Sequence, residues 1–229
     1  MQLCLRLDLD YVPWDTPDAE VFGHGEPAVI LRLLDLARQT GYKYHFFSSN
    51  RVLRAFPAVT DAVLDDGHHL DWLCKHPKSF EERYDEASKL FSQAGTDVAG
   101  LALRGAWPES TKNGKLPPEL KFISCEKGWV PQGLVPFLVE TRYERDALKI
   151  GQTRRVWTES VKAHIREQAM VNKTATIVFR PQVMSKIDPK LQYFRELADF
   201  GLAIGFKIRT LREQLVEHSG VGQPAESGS

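Results

Sequence analysis

Residues 2–10 read Gln-Leu-Cys-Leu-Arg-Leu-Asp-Leu-Asp. Leu3, Leu5 and Leu7 alternate with other side chains, the period-two pattern of a β-strand, and the run ends on two acids. The segments that follow decide the class. Pro27 to Thr40 places Val29, Ile30, Leu33, Leu34, Leu36 and Ala37 on one broad helical face, with Gly41 just past its end. Tyr42-Lys-Tyr-His-Phe-Phe47 then reads as a second strand, closed by Ser48-Ser49-Asn50. Strand, helix, strand in this order predicts a βαβ unit and hence parallel pairing.

The alternation continues along the chain. A helix is predicted over Ala58 to Leu64, a short strand or turn over His68 to Trp72, and a helix over Phe80 to Gln93. Ser79 and Glu82 have capping-box spacing at the start of that helix. Strands are predicted over Val98 to Leu103, Val135 to Glu140, Thr174 to Phe179 and Ala203 to Arg209, and helices over Glu159 to Met170 and Pro189 to Phe200. The Pro-, Gly- and Lys-rich stretch from Pro108 to Pro136 carries no other assignment. This is the α/β pattern of a mostly parallel sheet, open or closed. One domain over residues 1–216 is expected, with a small, polar, Gly/Pro-bearing tail over 217–229 predicted to be disordered.

The 229 residues include 30 Lys plus Arg and 30 Asp plus Glu, a formal net charge of zero. That balance argues against nucleic acid or an acidic membrane surface as the main partner. With 42% hydrophobic and 26% charged residues, the composition is that of a globular chain. Cys4, Cys74 and Cys125 are widely spaced and odd in number, so neither a disulfide framework nor a thiolate zinc site is expected, and a cytoplasmic location is. No stretch reaches the roughly 20 apolar residues of a membrane helix.

In parallel α/β folds the residues after the carboxyl ends of the strands line the site. Here those are Asp8 and Asp10, Ser48 to Asn50, His68 to His76, Arg104 to Trp107, Glu140, and Arg180 with Pro181. Asp8 and Asp10, two apart, point the same way if the strand continues through both, and could then hold a cation or divide into base and ligand. Three of the seven histidines fall between Asp66 and His76, although none shows the i, i+4 spacing of a helical metal pair. Trp72 and Trp107 could stack on a sugar ring or seal the edge of the core.

The order of these motifs resembles the NodB-type polysaccharide deacetylases from about Leu3 to Leu215. Leu5-Arg-Leu-Asp-Leu-Asp10 is similar to the family's acidic strand end, and Gly41-Tyr-Lys-Tyr-His-Phe-Phe47 to its "TFF" strand. Asp66-Gly-His-His-Leu-Asp-Trp-Leu-Cys-Lys-His-Pro77 resembles its histidine segment, and Leu101-Ala-Leu-Arg104 the strand that bears its arginine. Thr176-Ile-Val-Phe-Arg-Pro181 followed by Leu191 to Leu211 resembles its closing strand, helix and strand.

The resemblance implies an α/β fold, a distorted (β/α) barrel of about seven strands. It also implies a divalent metal, zinc foremost, that activates water for attack on an N-acetyl or other acyl group of a carbohydrate. Asp8 would then be the base, and Asp10, His69 and His76 the metal ligands. Trp72, Arg104, Trp107 and Arg180 would contact a carbohydrate or other small polar ligand. The match departs at several positions. Leu9 stands where the family has its metal-binding aspartate, Trp72 where it has its first histidine, and Arg180 and Pro181 where it has a late histidine and aspartate. His68 could replace His69 after a one-residue shift. A degenerate member that binds a ligand without turnover is the alternative expectation. A third reading rests on Asp8-x-Asp10 and Phe46-Phe-Ser-Ser-Asn50, which resemble the first motifs of haloacid-dehalogenase-type phosphatases, with Lys75 before His-Pro resembling that family's lysine.

Overall fold

The computed structural model describes residues 1–10, 27–75, 80–104, 107, 116–139, 151–171 and 174–220. The first strand, β1 (Gln2–Leu9), alternates as expected, but both of its faces are buried. Leu3, Leu5, Leu7 and Leu9 join the large core beneath the helices. Cys4 faces the other way, packing with Phe47, Leu73, Ala102, Phe122, Phe137 and Leu211. Arg6 and Asp8 share the parity of Cys4, so they too point into the interior of the sheet.

After β1 come α1 (Pro27–Thr40), β2 (His45–Ser48), α2 (Asn50–Ala55), α3 (Pro57–Asp65), β3 (His69–Cys74), α4 (Phe80–Gln93) and β4 (Gly100–Leu103). The remaining elements are β5 (Phe122–Cys125), β6 (Val135–Leu138), α5 (Arg154–Met170), β7 (Ala175–Phe179), α6 (Pro181–Ile187), α7 (Gln192–Ala203), β8 (Lys207–Ile208) and α8 (Leu211–Gly220). All pairings are parallel, in the order β6-β5-β4-β3-β2-β1-β7. The short β8 pairs with Gln2 and Leu3 at the start of β1. The sheet curls into a nearly closed barrel, with Val139 after β6 packed on Val178 of β7. The expected distorted barrel of about seven strands is the observed architecture.

The amino end of the barrel is closed by the start of α8. Leu211 sits in the inner core, and its N–H donates to His45 Nδ1 at 3.0 Å. Asp71, fully buried on β3, accepts from the N–H groups of Ala99 and Gly100 and from both Nε and Nη2 of Arg212. His45 Nε2 lies 3.0 Å from the same carboxylate. Since His45 Nδ1 accepts a hydrogen bond, the proton of a neutral ring is on Nε2 and is donated to Asp71.

Several sequence expectations need correction. β5 lies inside the unassigned stretch, and α6 starts immediately after Arg180 with Pro181 in its first turn, where a proline costs a helix no hydrogen bond. The predicted disordered tail begins too early, because α8 runs on to Gly220. Ser79, the expected cap of α4, lies outside the described residues. The three cysteines are buried and form no disulfide. Among the described residues no helix is long and apolar enough to cross a membrane.

Candidate functional site

The carboxyl ends of β1, β3 and β4 bring Asp8, Asp10, Lys75 and Arg104 together. Both oxygens of Asp8 are held by Arg6, with Nε 2.7 Å from Oδ1 and Nη2 3.0 Å from Oδ2, and both side chains are 0% exposed. Arg6 Nη1 also donates to the carbonyl and the hydroxyl of Ser124, each at 3.0 Å, and Nη2 to the Leu103 carbonyl at 3.2 Å. The guanidinium lies 5.1 Å from the ring centre of Phe47. The buried cation is thereby satisfied on every nitrogen, the condition under which a buried ion pair is tolerated.

Asp10 is also buried and also paired with cations. Lys75 Nζ stands 3.0 Å from Oδ1, and Arg104 Nη1 donates to Oδ2 at 3.0 Å. Arg104 Nε lies 3.7 Å from Asp8 Oδ2, so one arginine spans both acids. Arg180 is buried at the end of β7, following Phe179, which is in register with Leu7. Among the described residues, Arg6, Lys75 and Arg104 pair with Asp8 and Asp10, three cations on two acids.

The histidines expected as ligands are elsewhere. His69 opens β3, in register with His45 and through it with Arg6, four residues short of Asp10, or about 13 Å along the strand direction. Its Nδ1 lies 2.6 Å from the Thr210 hydroxyl at the amino end of the barrel, and burial lowers its pKa. His68 is buried there too, stacked on Tyr44 and accepting the Tyr44 N–H, with burial pushing its pKa down to about 4. The strand geometry therefore takes His69 and His68 away from Asp10. His76 lies outside the described residues. Catalytic zinc usually has three protein ligands, and among the described residues no group of three or more His, Cys, Asp or Glu is placed to hold a metal. With Lys75 and Arg104 on its two oxygens, Asp10 does not fit the part of a metal ligand.

The tryptophans are walls and not platforms. Trp72 is 1% exposed, with its ring centre 5.5 Å from Phe80 and 5.7 Å from Tyr84, and its Nε1 donates to Asn50 Oδ1 at 2.7 Å. Trp107 is 4% exposed and lies edge-on to Phe80 at 5.4 Å. Neither offers an open ring face to a sugar, because both are packed on the aromatic cluster under α4. Sequence reasoning missed Arg6 as the partner of Asp8 and did not pair Lys75 with Asp10. For Arg6 the signal was present: a charge two residues before Asp8 on an alternating strand must share its face.

No protein-family profile matches the sequence, and no curated protein matches it. Solved structures do. A probable polysaccharide deacetylase from Pseudomonas aeruginosa is similar at a TM-score of 0.77 and 12% identity, covering 98% of this chain and 92% of that one. Puue allantoinase is similar at 0.75 and 12% identity, covering 97% and 91%. A CE4-family pseudoenzyme from Bacillus anthracis is similar at 0.52 and 11% identity, covering 93% of this chain and 65% of that one. The chain has the NodB-type deacetylase fold.

Proposed function

We propose that this chain is a catalytically degenerate member of the deacetylase fold that binds a small polar ligand, a carbohydrate first among them, without metal-assisted turnover. One observation carries the reading: the two acids that would serve as base and metal ligand are both engaged by side-chain cations. A general base must reach the water it activates, and Asp8 is enclosed with both oxygens on Arg6. The same enclosure speaks against Asp8 as a nucleophile toward a phosphate ester. A dication placed at Asp10 would meet Lys75 and Arg104 at ion-pair distance and be repelled. Arg104 and Arg180, fixed cations at the carboxyl end, suit binding, and an always-protonated guanidinium is a poor proton donor. A CE4-family pseudoenzyme among the similar structures agrees with a fold that outlives its chemistry.

The test is elemental analysis of the purified chain together with an acetate-release assay on N-acetylglucosamine oligomers in added zinc. The expected result is far less than one metal per chain and no release above buffer. Stoichiometric zinc that is lost in Asp10→Ala, or acetate release abolished by Asp8→Asn, would overturn the reading.

A further inference from the structure

Beside the acid cluster a cavity of about 570 Å³ opens between α2 and α4, at the carboxyl ends of β2 and β3. That size falls in the range of small-molecule sites, roughly 300–1,000 Å³. Among the described residues Arg51, Arg54, Lys75 and Arg83 line it, and no acidic side chain does. Among the described residues positive charge remains in excess after the neighbouring acids are counted. Arg54 and Arg83 share one carboxylate, Glu86, at 2.6 and 3.5 Å. Lys75 and Arg104 share one carboxylate, Asp10, at 3.0 Å each, while Asp8 is matched by Arg6. Among the described residues, the lining cations Arg54, Arg83 and Lys75, together with Arg104, which shares Asp10 with Lys75 behind the wall, meet two acids, an excess of two charges that does not depend on Arg51.

A second observation points to an occupant. Ser49 is 3% exposed and lines the same cavity, yet its hydroxyl has no hydrogen-bond partner among the described residues. A buried hydroxyl left so is costly, and an acceptor within the cavity would satisfy it. The floor is rigid. Asn50 accepts from Trp72 Nε1 and donates to Glu86 and to the Arg83 carbonyl, tying β3 and α4 to the cavity wall.

We propose that this cavity binds the phosphate group of a small phosphorylated molecule. Two surplus charges match a dianion, and guanidinium forks match its oxygens in pairs. A neutral sugar would leave both charges uncompensated, and a carboxylate would balance one of them. The inference deepens the ligand-binding reading above and rests on it for the absence of turnover.

The test is calorimetric titration of the full chain in metal-free buffer with glucose 6-phosphate and with inorganic phosphate. Glucose and glucuronate serve as comparators. Binding of both phosphate compounds is expected, with glucuronate at least about tenfold weaker and glucose silent. Arg54→Gln/Arg83→Gln should weaken glucose 6-phosphate at least about tenfold, with folding checked by circular dichroism. If that variant does not fold, Ser49→Ala replaces it and should weaken binding several-fold. Absence of phosphate binding up to about 10 mM, equal affinity for glucuronate, or unchanged affinity in a folded variant would overturn the proposal. Those outcomes leave the metal analysis untouched, whereas stoichiometric zinc would remove the degenerate reading and leave phosphate binding standing.

Discussion

Arg6 and Asp8 stand two residues apart on β1 and lock to each other inside the barrel through two hydrogen bonds of 2.7 and 3.0 Å. The pairing is intrastrand, set by the period-two direction of the side chains. It makes both charges part of the barrel's filling.

Arg6→Met is expected to destabilise the fold by about 3–5 kcal/mol, because it strands the Asp8 charge in the interior. The double variant Arg6→Met/Asp8→Leu should recover much of that loss, since the charge leaves with its partner. Urea denaturation measures both. A loss below about 1 kcal/mol in the single variant would mean that Arg6 is not what compensates Asp8.

Acid should unfold the protein through the amino-end network before its carboxylates are exhausted. Burial pushes the His45 pKa from 6.5 down to about 4, outweighing the neighbouring Asp71. The unfolded chain then binds the proton more readily, so this contribution is complete above pH 6.5 and drains away as pH falls from 6.5 toward 4. It amounts to about 3 kcal/mol at most. Burial works against the Asp71 charge, but hydrogen bonds from Arg212 and His45 hold its carboxyl below the ordinary value. Its contribution therefore survives that window and is lost only below pH 3.8. Unfolding free energy measured at intervals from pH 7 to 4 should fall steadily, and His45→Gln should flatten the slope. An unchanged slope in that variant would assign the loss to other groups.

Gly100→Ala should disturb the barrel interior more than its one methyl suggests. A Cβ there would sit 2.0 Å from the Phe122 ring, closer than any real contact. Overpacking of this kind costs about 1–3 kcal/mol. Gly100→Ala/Phe122→Leu should be more stable than the single variant if the clash is the cause, as thermal melts would report.

Trp72→Phe retains the aromatic packing on Phe80 and Tyr84 but removes the donor to Asn50. The orphaned amide oxygen predicts a loss of about 1–3 kcal/mol. Denaturant midpoints that coincide with the wild type would show that Asn50 finds another partner.

Much of the fold was legible because burial follows local periods. α1 occupies the residues its apolar face indicated, and α4 does the same. β5 was not legible, since Phe122–Cys125 is four residues long and sits among prolines and lysines without a periodic neighbour. β8 shrinks to Lys207–Ile208, which pairs with Gln2 and Leu3 below the start of β2. At the site, Asp8, Asp10 and Arg104 were legible from their places at strand ends. His69 was misread because density in sequence says nothing about depth along a strand. Its neighbours in register, His45 and Arg6, put it below Asp10.

The sequence by itself determined an α/β chain with parallel strands, a strand-ending pair of acids and no net charge. Those are properties of residue order and of counts. Only the tertiary structure decided what neutralises the acids, since Lys75 and Arg104 approach Asp10 from two other strands. Only there do the surplus cations gather at the barrel's carboxyl end, with Arg54 and Arg83 brought together around Glu86 across α2 and α4. Charge is additive along a chain, but the energy of a charge depends on distance and burial, and those come into being when the strands close into a barrel.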